Sequence, residues 1–185
     1  MQIRKAKLED ALAIAHLLFL ATGEVIYTFI RERNEQKAVN FLHHFISGID
    51  NQYSYQNCWV IEGEEDEVLA AASVYDGGNL FKLRSAILNY ITINYGALPF
   101  TLEDETEPGE YYIDSIGVSP NHQGKGLGSL LLKFLIEEYA VNKKETLGLL
   151  VDDTNPNAKK LYLSLGFKVV KKVLFTGKPM EHLQR

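Results

Sequence analysis

Residues 112–128 read Tyr-Ile-Asp-Ser-Ile-Gly-Val-Ser-Pro-Asn-His-Gln-Gly-Lys-Gly-Leu-Gly, and this stretch decides the predicted fold. It begins within Tyr111–Val118, a run of aromatic and β-branched residues that predicts a strand, and Ser119-Pro120 ends that strand. After the glycines, Ser129–Val141 predicts a mostly buried helix, because its polar residues recur every fourth position and nearly all the others are apolar. The stretch is therefore a strand, a glycine-rich turn and a helix.

The glycine-rich turn, Gln123 to Gly128, suits an anion. Its glycines let the backbone present several N–H groups in one direction, and the N-terminus of the following helix adds a partial positive charge. A phosphate or pyrophosphate fits such a turn, and a tight connection without a ligand is the alternative. A P-loop fits badly because Lys125 is misplaced and no hydroxyl follows it, and the glycine spacing differs from the Gly-x-Gly-x-x-Gly of dinucleotide-binding folds.

Outward from this stretch, strands and helices alternate, with an antiparallel-looking front half and a β-α-β-α-β back half. The predicted strands are Gln2–Arg4, Cys58–Ile61, Val68–Tyr75, Tyr111–Val118, Leu147–Val151, Lys168–Phe175 and Met180–Leu183. The predicted helices are one from Glu9 that stops at Gly23, then Gln36–Ser47, Leu80–Tyr95, Ser129–Val141 and Asn157–Leu165, with Gly166 as the C-terminal cap of the last. This order predicts a mixed α/β fold around one sheet.

Composition fits one domain over residues 1–185, with 76–109 as an insertion or substrate-side segment. Apolar residues make up 46% of the 185 residues and charged residues 23%, as in ordinary globular proteins. A net charge of −5 argues against broad nucleic-acid binding and leaves room for a cationic partner. The single cysteine, Cys58, excludes an intramolecular disulfide and a cysteine-rich metal site, and we expect it in the core.

The N-terminal segment is apolar but interrupted by Glu9, Asp10 and His16, and no clean cleavage site follows. We therefore expect a helix there rather than a signal peptide, and no membrane span, because no stretch approaches about 18 uninterrupted apolar residues. A cytoplasmic location follows as an expectation. His43 and His44 are adjacent and would point in different directions on a helix, so no metal site is expected from them.

Two spaced motifs carry a family resemblance. Gln123-x-x-Gly126-x-Gly128 resembles the Gln/Arg-x-x-Gly-x-Gly/Ala signature of the GNAT superfamily of N-acetyltransferases. Downstream, Asn155-x-x-Ala158-x-x-x-Tyr162-x-x-x-Gly166-Phe167 is similar to that family's second segment. The match covers about 112–168, which becomes the expected acetyl-CoA-binding core. The resemblance implies a mixed, mostly antiparallel sheet of about six to seven strands flanked by helices.

The same resemblance implies an acetyl-CoA site. The pyrophosphate would lie on backbone N–H groups of the turn, and the pantetheine arm would run beside strand residues 116–118. Lys125 would add charge near a phosphate or be simply solvated, and Asn155 would contact the pantetheine, cap the helix that Pro156 begins, or do both. The implied cofactor-binding residues are Ile116, Gly117, Val118, Gln123, Gly124, Lys125, Gly126, Leu127, Gly128, Ser129 and Asn155.

The resemblance also implies catalytic roles. Tyr162 would protonate the departing CoA thiolate, and a core aromatic is the alternative. Asp114 is the first candidate for a base acting through water, with Glu110 and Glu105 behind it and a plain surface or ion-paired role as the alternative. Simple alternation puts Asp114 on one strand face with Ile116 and Val118, and Ile113, Ser115 and Gly117 on the other, although a bulge would change this. Backbone N–H groups of Gly117 or Val118 would polarise the thioester carbonyl.

Function then divides into three hypotheses. The first is an acetyl-CoA-dependent N-acetyltransferase in which a small cationic amine or a peptide amine attacks the thioester directly. The others are a non-catalytic acyl-CoA-binding or interaction module on the same fold, and an unrelated nucleotide-phosphate binder. Of two acidic clusters, Glu62–Glu67 is expected to be a solvated hairpin, and Leu102–Glu110 is solvated or attracts the amine. The strand after Gly166 and the C-terminal tail are a possible homodimer contact.

Overall fold

Strands from both halves of the chain form one mixed sheet. The computed structural model describes residues 1–98 and 101–185 of the chain, so 99 and 100 of the 76–109 segment lie outside the described residues. The strands are β1 Gln2–Lys5, β2 Cys58–Glu62, β3 Val68–Asp76, β4 Glu110–Val118, β5 Thr146–Asp152, β6 Lys168–Phe175 and β7 Lys178–Gln184. Their order is β1-β2-β3-β4-β5-β7-β6, and every neighbouring pair is antiparallel except β4 and β5. The predicted mixed, mostly antiparallel sheet is confirmed.

Helices cover the sheet close to where the sequence predicts them. In the described residues they are α1 Ala11–Ile30, α2 Glu35–Ile46, α3 Leu80–Tyr95, α4 Leu127–Leu135 and α5 Pro156–Ser164, and α4 continues in π-helical turns over Ile136–Asn142. Gly166, with φ +89°, follows the end of α5 as predicted.

The predicted stop of the first helix at Gly23 is wrong. Helix α1 continues through Gly23 and buries Ile26, Phe29 and Ile30. A glycine inside a helix costs only about 1 kcal/mol relative to alanine, whereas each buried side chain of this size contributes about 1.5–3 kcal/mol. Tertiary packing therefore outweighs the local signal.

By length and composition alone, the stretch Leu8–Ile30 is able to cross a membrane, with a mean hydropathy of 1.7. The sequence instead predicts no membrane span, because charged residues interrupt the apolar run. A buried core helix meets the same criterion, and Ile14, Leu18 and Ile26 in this helix are fully buried in the protein core.

Each face of the sheet has its own core. Helices α1, α2 and α3 share one core with side chains of the sheet, to which α3 contributes Ile87 and Ile91. Helices α4 and α5 pack on the other, which contains Leu131, Leu132 and Phe167. Segment 76–109 thus adds a helix to the first core between the adjacent strands β3 and β4.

A β-bulge in β4 changes which way its side chains point. Ser115 pairs with Ser73 of β3, but the next pair is Ile113 with Val74, so Asp114 is the extra residue. The expected simple alternation is therefore wrong, and the bulge is the reason. On one face Ile113, Ile116 and Val118 pack on the core of α4, while Tyr112, Asp114, Ser115 and Gly117 lie toward the α1 side.

The central pair of strands also parts. β4 and β5 are paired only from Glu110 with Thr146 to Ile113 with Leu149, although both strands continue beyond that point. From Asp114 onward one edge of β4 has no strand partner in the described residues. The backbone of Ile116–Val118 is therefore available to an extended ligand on that edge.

Candidate active site

A cavity of about 480 Å³ lies where β4 and β5 part. It brings together residues that the sequence predicts from separate motifs: Asp114 and Ile116 of β4, Asn155 before α5, and Tyr162 of α5. Side chains that the sequence does not predict also line it, among them Gln52, Tyr53, Arg84 and Met180.

A second groove, of about 360 Å³, surrounds the glycine-rich turn. It lies next along the same two elements, since Val118 is two residues beyond the cavity residue Ile116 on β4 and Leu161 directly precedes Tyr162 on α5. The groove is lined by Val118, His122, Gln123, Gly124, Gly126, Leu127, Gly128, Ser129 and Leu161. Lys125 is exposed and is not part of this lining.

The turn needs glycine at two positions for its backbone conformation. Gly124 and Gly126 have φ of +75° and +82°, the left-handed region that side chains disfavour, and a Cβ atom at either would meet nothing within 4 Å. Gly126 is the N-cap residue directly before α4, and no side chain caps that helix terminus. The Gln123 amide donates a hydrogen bond to the carbonyl oxygen of Val118 at 3.2 Å and ties the turn to β4.

These features fit the pyrophosphate of acetyl-CoA. An uncapped helix N-terminus offers N–H donors and the positive end of the helix dipole to an anion. The open space beside Gly124 and Gly126 leaves room for such a group, and the free edge of β4 leaves backbone groups with which an extended ligand can pair.

Helix α5 supplies two side chains to the cavity. Asn155 caps the helix as predicted, since its Oδ1 accepts a hydrogen bond from the backbone N–H of Ala158 at 3.1 Å. Tyr162 is half-buried and packs against Phe167, with ring centroids 6.0 Å apart. Burial raises the pKa of the Tyr162 hydroxyl. This is opposite to the shift that would make it a stronger acid, and it keeps the proton on the hydroxyl at neutral pH.

The bulge directs Asp114 into the cavity. Its Oδ1 accepts a hydrogen bond from Nε2 of Gln52 at 3.0 Å. Burial, and after it the negative charge of Glu105, raise the pKa of Asp114 to about 7, although the hydrogen bond from Gln52 and the charge of Arg84 act in the opposite direction. A carboxyl group in this range exchanges protons near neutral pH.

Glu105 comes from the acidic loop 102–109 but is buried, with 6% of the residue exposed. Its Oε1 accepts hydrogen bonds from Gln52 Nε2 at 3.0 Å and from the Tyr75 hydroxyl at 3.1 Å. The Arg84 guanidinium lies 2.9 Å from the same oxygen and donates to the carbonyl oxygen of Glu103 at 3.0 Å. The loop is therefore fixed to α3, and Glu105 is not a solvated residue.

Glu110, the other alternative base, lies outside the cavity lining. It is 2% exposed, and its carboxylate accepts hydrogen bonds from Thr106 at 2.8 Å, from the backbone N–H of Glu107 at 3.0 Å and from Gln184 at 2.8 Å. His182 Nε2 lies 2.9 Å away. Burial opposes its ionisation, but these hydrogen bonds outweigh burial and lower the pKa of Glu110. Its arrangement is that of a structural anchor for the loop.

Two further expectations concern β2. The solvated hairpin predicted over Glu62–Glu67 is wrong at Glu62, which is buried and lies 2.6 Å from the Arg4 guanidinium, because β1 pairs alongside it. Cys58 is fully buried as predicted, and burial raises its pKa to about 12.

Among residues 1–98 and 101–185, no group of three His, Cys, Asp or Glu side chains is placed to hold a metal ion.

The sheet with its parted central strands and the glycine-rich turn at a helix N-terminus place the chain in the N-acetyltransferase class of folds. It belongs to the acetyltransferase (GNAT) family, whose family model matches residues 24–167. The resemblance noted in the sequence is thereby confirmed.

Solved structures agree over the whole chain. An N-acetyltransferase from Staphylococcus aureus Mu50 is 24% identical, with a TM-score of 0.85, and the match covers 100% of both chains. A protein described as an acetyltransferase is 31% identical, with a TM-score of 0.80, over 100% of this chain and 98% of that one.

Curated relatives match over a shorter length. A spermine/spermidine N(1)-acetyltransferase from Bacillus subtilis strain 168 is 31% identical over 84 residues, which is 45% of this chain. The match spans 55% of that relative, about half of its length. A probable spermine N(1)-acetyltransferase from Bacillus subtilis subsp. natto matches to the same extent.

Proposed function

We propose that this protein is an acetyl-CoA-dependent N-acetyltransferase that acetylates a primary amine, and that the acceptor is a small cationic amine. One observation carries the proposal: Asp114 and Tyr162 border a single cavity where β4 and β5 part, and the end of β4 leads from that cavity to the glycine-rich groove. The names of the curated relatives support a polyamine-like acceptor.

Acetyl-CoA would lie along β4. Its pyrophosphate would accept hydrogen bonds from backbone N–H groups of the turn 123–129, and Lys125 would add charge from outside the groove. Its pantetheine arm would pair with the free edge of Ile116–Val118 and contact Asn155. On this path the thioester would lie in the cavity beside Tyr162.

The amine must lose a proton before it attacks. An alkylammonium with a pKa near 10.4 would transfer that proton, directly or through water, to the Asp114 carboxylate. Because the pKa of Asp114 is raised to about 7, the gap between donor and acceptor is smaller by about three pH units than for an ordinary carboxyl group. The neutral nitrogen then attacks the thioester carbonyl carbon.

Collapse of the tetrahedral intermediate breaks the carbon–sulfur bond. The backbone N–H of Gly117 or Val118 would stabilise the negative oxygen of that intermediate. The Tyr162 hydroxyl would give its proton to the departing sulfur and regain one from the acetylated nitrogen. Burial raises the pKa of Tyr162, and it destabilises a thiolate in the same cavity for the same reason, so that the transfer stays feasible. One proton ends on CoA and the other leaves through Asp114.

The cavity has more carboxylates than cations, which supports a cationic acceptor. Glu24, Glu105, Asp114 and Asp152 line it, whereas Arg84 and Lys178 are the cationic lining residues in the part of the chain that the structure describes. Arg84 is paired with Glu105 and Arg33 with Glu24, which leaves Asp114 and Asp152 opposite Lys178. A cationic amine would offset the remaining negative charge.

The test is a thiol-release assay with acetyl-CoA against polyamines, aminoglycosides, amino acids and N-terminal peptides. We expect thiol release above background with polyamines, and a rise in Tm with acetyl-CoA alone by mass action. A rise in Tm without thiol release from any amine would indicate a non-catalytic acyl-CoA-binding module instead. No rise in Tm at millimolar acetyl-CoA would reject the proposal, and stabilisation by ATP or NAD alone would indicate a nucleotide binder.

A further inference from the structure

Segment 76–109 reaches the candidate base through one amide group. Both hydrogens of the Gln52 side-chain nitrogen are used: one is donated to Oδ1 of Asp114 and the other to Oε1 of Glu105, each over 3.0 Å. The two carboxylate oxygens are therefore at most about 6 Å apart. Two carboxylates this close, with one buried amide between them, influence each other's ionisation.

The two carboxylates are held very differently. Glu105 Oε1 accepts hydrogen bonds from Gln52 and Tyr75 and forms an ion pair with Arg84 at 2.9 Å. Asp114 accepts a hydrogen bond from the Gln52 amide at 3.0 Å, and the adjacent Ser115 hydroxyl also favours its ionised form. Asp114 is therefore the less well stabilised carboxylate of the pair, in line with its raised pKa.

Gln52 is itself rigidly placed. It is 4% exposed, its backbone N–H donates to the carbonyl oxygen of Leu83 at 3.3 Å, and its carbonyl oxygen accepts from Asn57 at 3.2 Å. Because the backbone is fixed, the amide cannot follow either carboxylate without losing the other.

We propose that Glu105 and Gln52 are positioning residues that set the proton affinity of the base Asp114, so that segment 76–109 tunes the pH range of the reaction. This rests on the proposed function. Glu105 raises the proton affinity of Asp114 through its charge, and Gln52 lowers it by donating to the ionised form. Arg84 holds Glu105 in place from α3 and limits the size of the effect.

Apart from Lys178, the other ionisable groups that line the cavity are separately engaged or neutral. Glu24 is paired with Arg33 at 2.8 Å, and the Asp152 carboxylate accepts from Thr154 at 2.7 Å. Lys178 lines the cavity from β7. The surrounding tyrosines keep their protons, since burial raises the pKa of each; they are Tyr53, Tyr75, Tyr112 and Tyr162. Glu105 is thus the carboxylate that shares a donor with Asp114.

Three variants test the proposal, with log(kcat/KM) against pH as the readout at saturating acetyl-CoA and with spermidine as the acceptor. Glu105→Gln keeps an acceptor for Gln52 but removes the charge, and we expect the acidic limb to move down by about one pH unit. Gln52→Met removes the donor, and we expect the limb to move up. Glu107→Gln makes the same charge change on the exposed part of the loop and leaves the limb in place.

A second readout does not require turnover. In protein labelled with ¹³C at the aspartate carboxyl, the Asp114 resonance, assigned with Asp114→Asn, titrates with a midpoint that moves down in Glu105→Gln and up in Gln52→Met. The proposal is overturned if the folded variants titrate Asp114 with the same midpoint as the unmodified protein. It is also overturned if the active variants keep the acidic limb of the unmodified protein in their pH profiles. Absence of thiol release from the unmodified protein would instead count against the proposed function, while the NMR titration still decides this inference.

Discussion

Gly117 lies against the backbone of Leu17: a Cβ atom at Gly117 would be 2.0 Å from the Leu17 carbonyl oxygen and 2.5 Å from its carbonyl carbon. Helix α1 therefore crosses β4 in backbone contact, at the part of the strand that no longer pairs with β5. This contact holds the parted segment against the helix, and it depends on a residue without a side chain.

We expect Gly117→Ala to lower the free energy of unfolding by about 2 kcal/mol or more, because helix and strand must separate to admit a methyl group. Urea unfolding measures this. Gly128→Ala is the control, since a Cβ atom there would be an ordinary 3.6 Å from Cγ2 of Val118. Equal stabilities for the two variants would mean that α1 moves away from β4 without cost.

This contact shows where sequence reasoning stops. Local patterns predicted α2, α3 and the strands to within a few residues, and the spacing of Gln123 and Tyr162 located both motifs. The sequence identifies Gly117 only as part of a cofactor-binding strand, because nothing local indicates that the backbone of Leu17 lies so close that a Cβ atom would not fit. Contacts between distant segments have no local signature.

The surroundings of the proposed base, Asp114, also depend on contacts between distant segments. Asp114 could be selected from its place in the strand, but its direction depends on a bulge that only the pairing with Ser73 and Val74 reveals. Gln52 carries no motif and reaches Asp114 across 62 positions. Glu105 belongs to an acidic loop that the sequence predicts to be solvated or to attract the amine, because its burial beside Arg84 depends on how α3 packs.

The glycine-rich turn has space for side chains at Gly124 and Gly126, but its backbone conformation there disfavours any residue other than glycine. Gly124→Ala places an L-residue at φ +75°, which costs about 1–2 kcal/mol and shifts the N–H groups of the turn. We expect acetyl-CoA to bind at least about tenfold more weakly by calorimetry. Gly109→Ala introduces comparable strain at φ +93° away from the groove and should leave the Kd unchanged. Equal losses in both variants would reflect general destabilisation.

Tyr162→Phe removes one hydroxyl from the cavity. If that hydroxyl protonates the leaving sulfur, kcat falls by about 100-fold while the Kd of acetyl-CoA stays within about twofold, because general acid catalysis acts on the transition state. Tyr111→Phe is the matched control, since Tyr111 packs against Tyr139 with centroids 4.7 Å apart and does not line the cavity. An unchanged kcat for Tyr162→Phe would remove the residue from the mechanism.

Glu110 should make the free energy of unfolding depend on pH in the acidic range. Its folded-state pKa is lowered, so its stabilisation is present above the pKa of the unfolded chain, near 4.3, and is lost as the pH falls through the lower folded value. Glu110→Gln should cost about 2 kcal/mol at pH 7 and unfold with a shallower dependence on pH below 5. The half-exposed Glu107 provides the control variant Glu107→Gln. Parallel pH profiles for Glu110→Gln and the unmodified protein would contradict this role.

Asp114 should make the free energy of unfolding change with pH in the opposite direction to Glu110. Its folded pKa is raised to about 7, above the 3.8 of an ordinary aspartate, so the folded state binds the proton more tightly and stability declines as the pH rises from about 4 to 7. Asp114→Asn keeps the shape and the acceptor for Gln52 but carries no charge. We therefore expect it to unfold at a higher Tm than the unmodified protein at pH 8, and to lose that advantage at pH 4.

The same substitution should abolish most of the activity. A carboxylate that accepts a proton must be ionised, so kcat/KM of the unmodified protein falls about tenfold per unit below pH 7, and Asp114→Asn loses this limb together with at least about 100-fold in rate. An acceptor amine of low pKa is already neutral at pH 8 and should lose much less. Asp152→Asn changes a carboxylate of the same cavity whose pKa is lowered by hydrogen bonds from Thr154, and it should raise neither Tm nor the rate. If Asp114→Asn is less stable than the unmodified protein and equally active, the buried carboxylate is structural. A catalytic base at this position has the opposite pattern, because burying its charge lowers the stability of the protein while the charge accelerates the reaction.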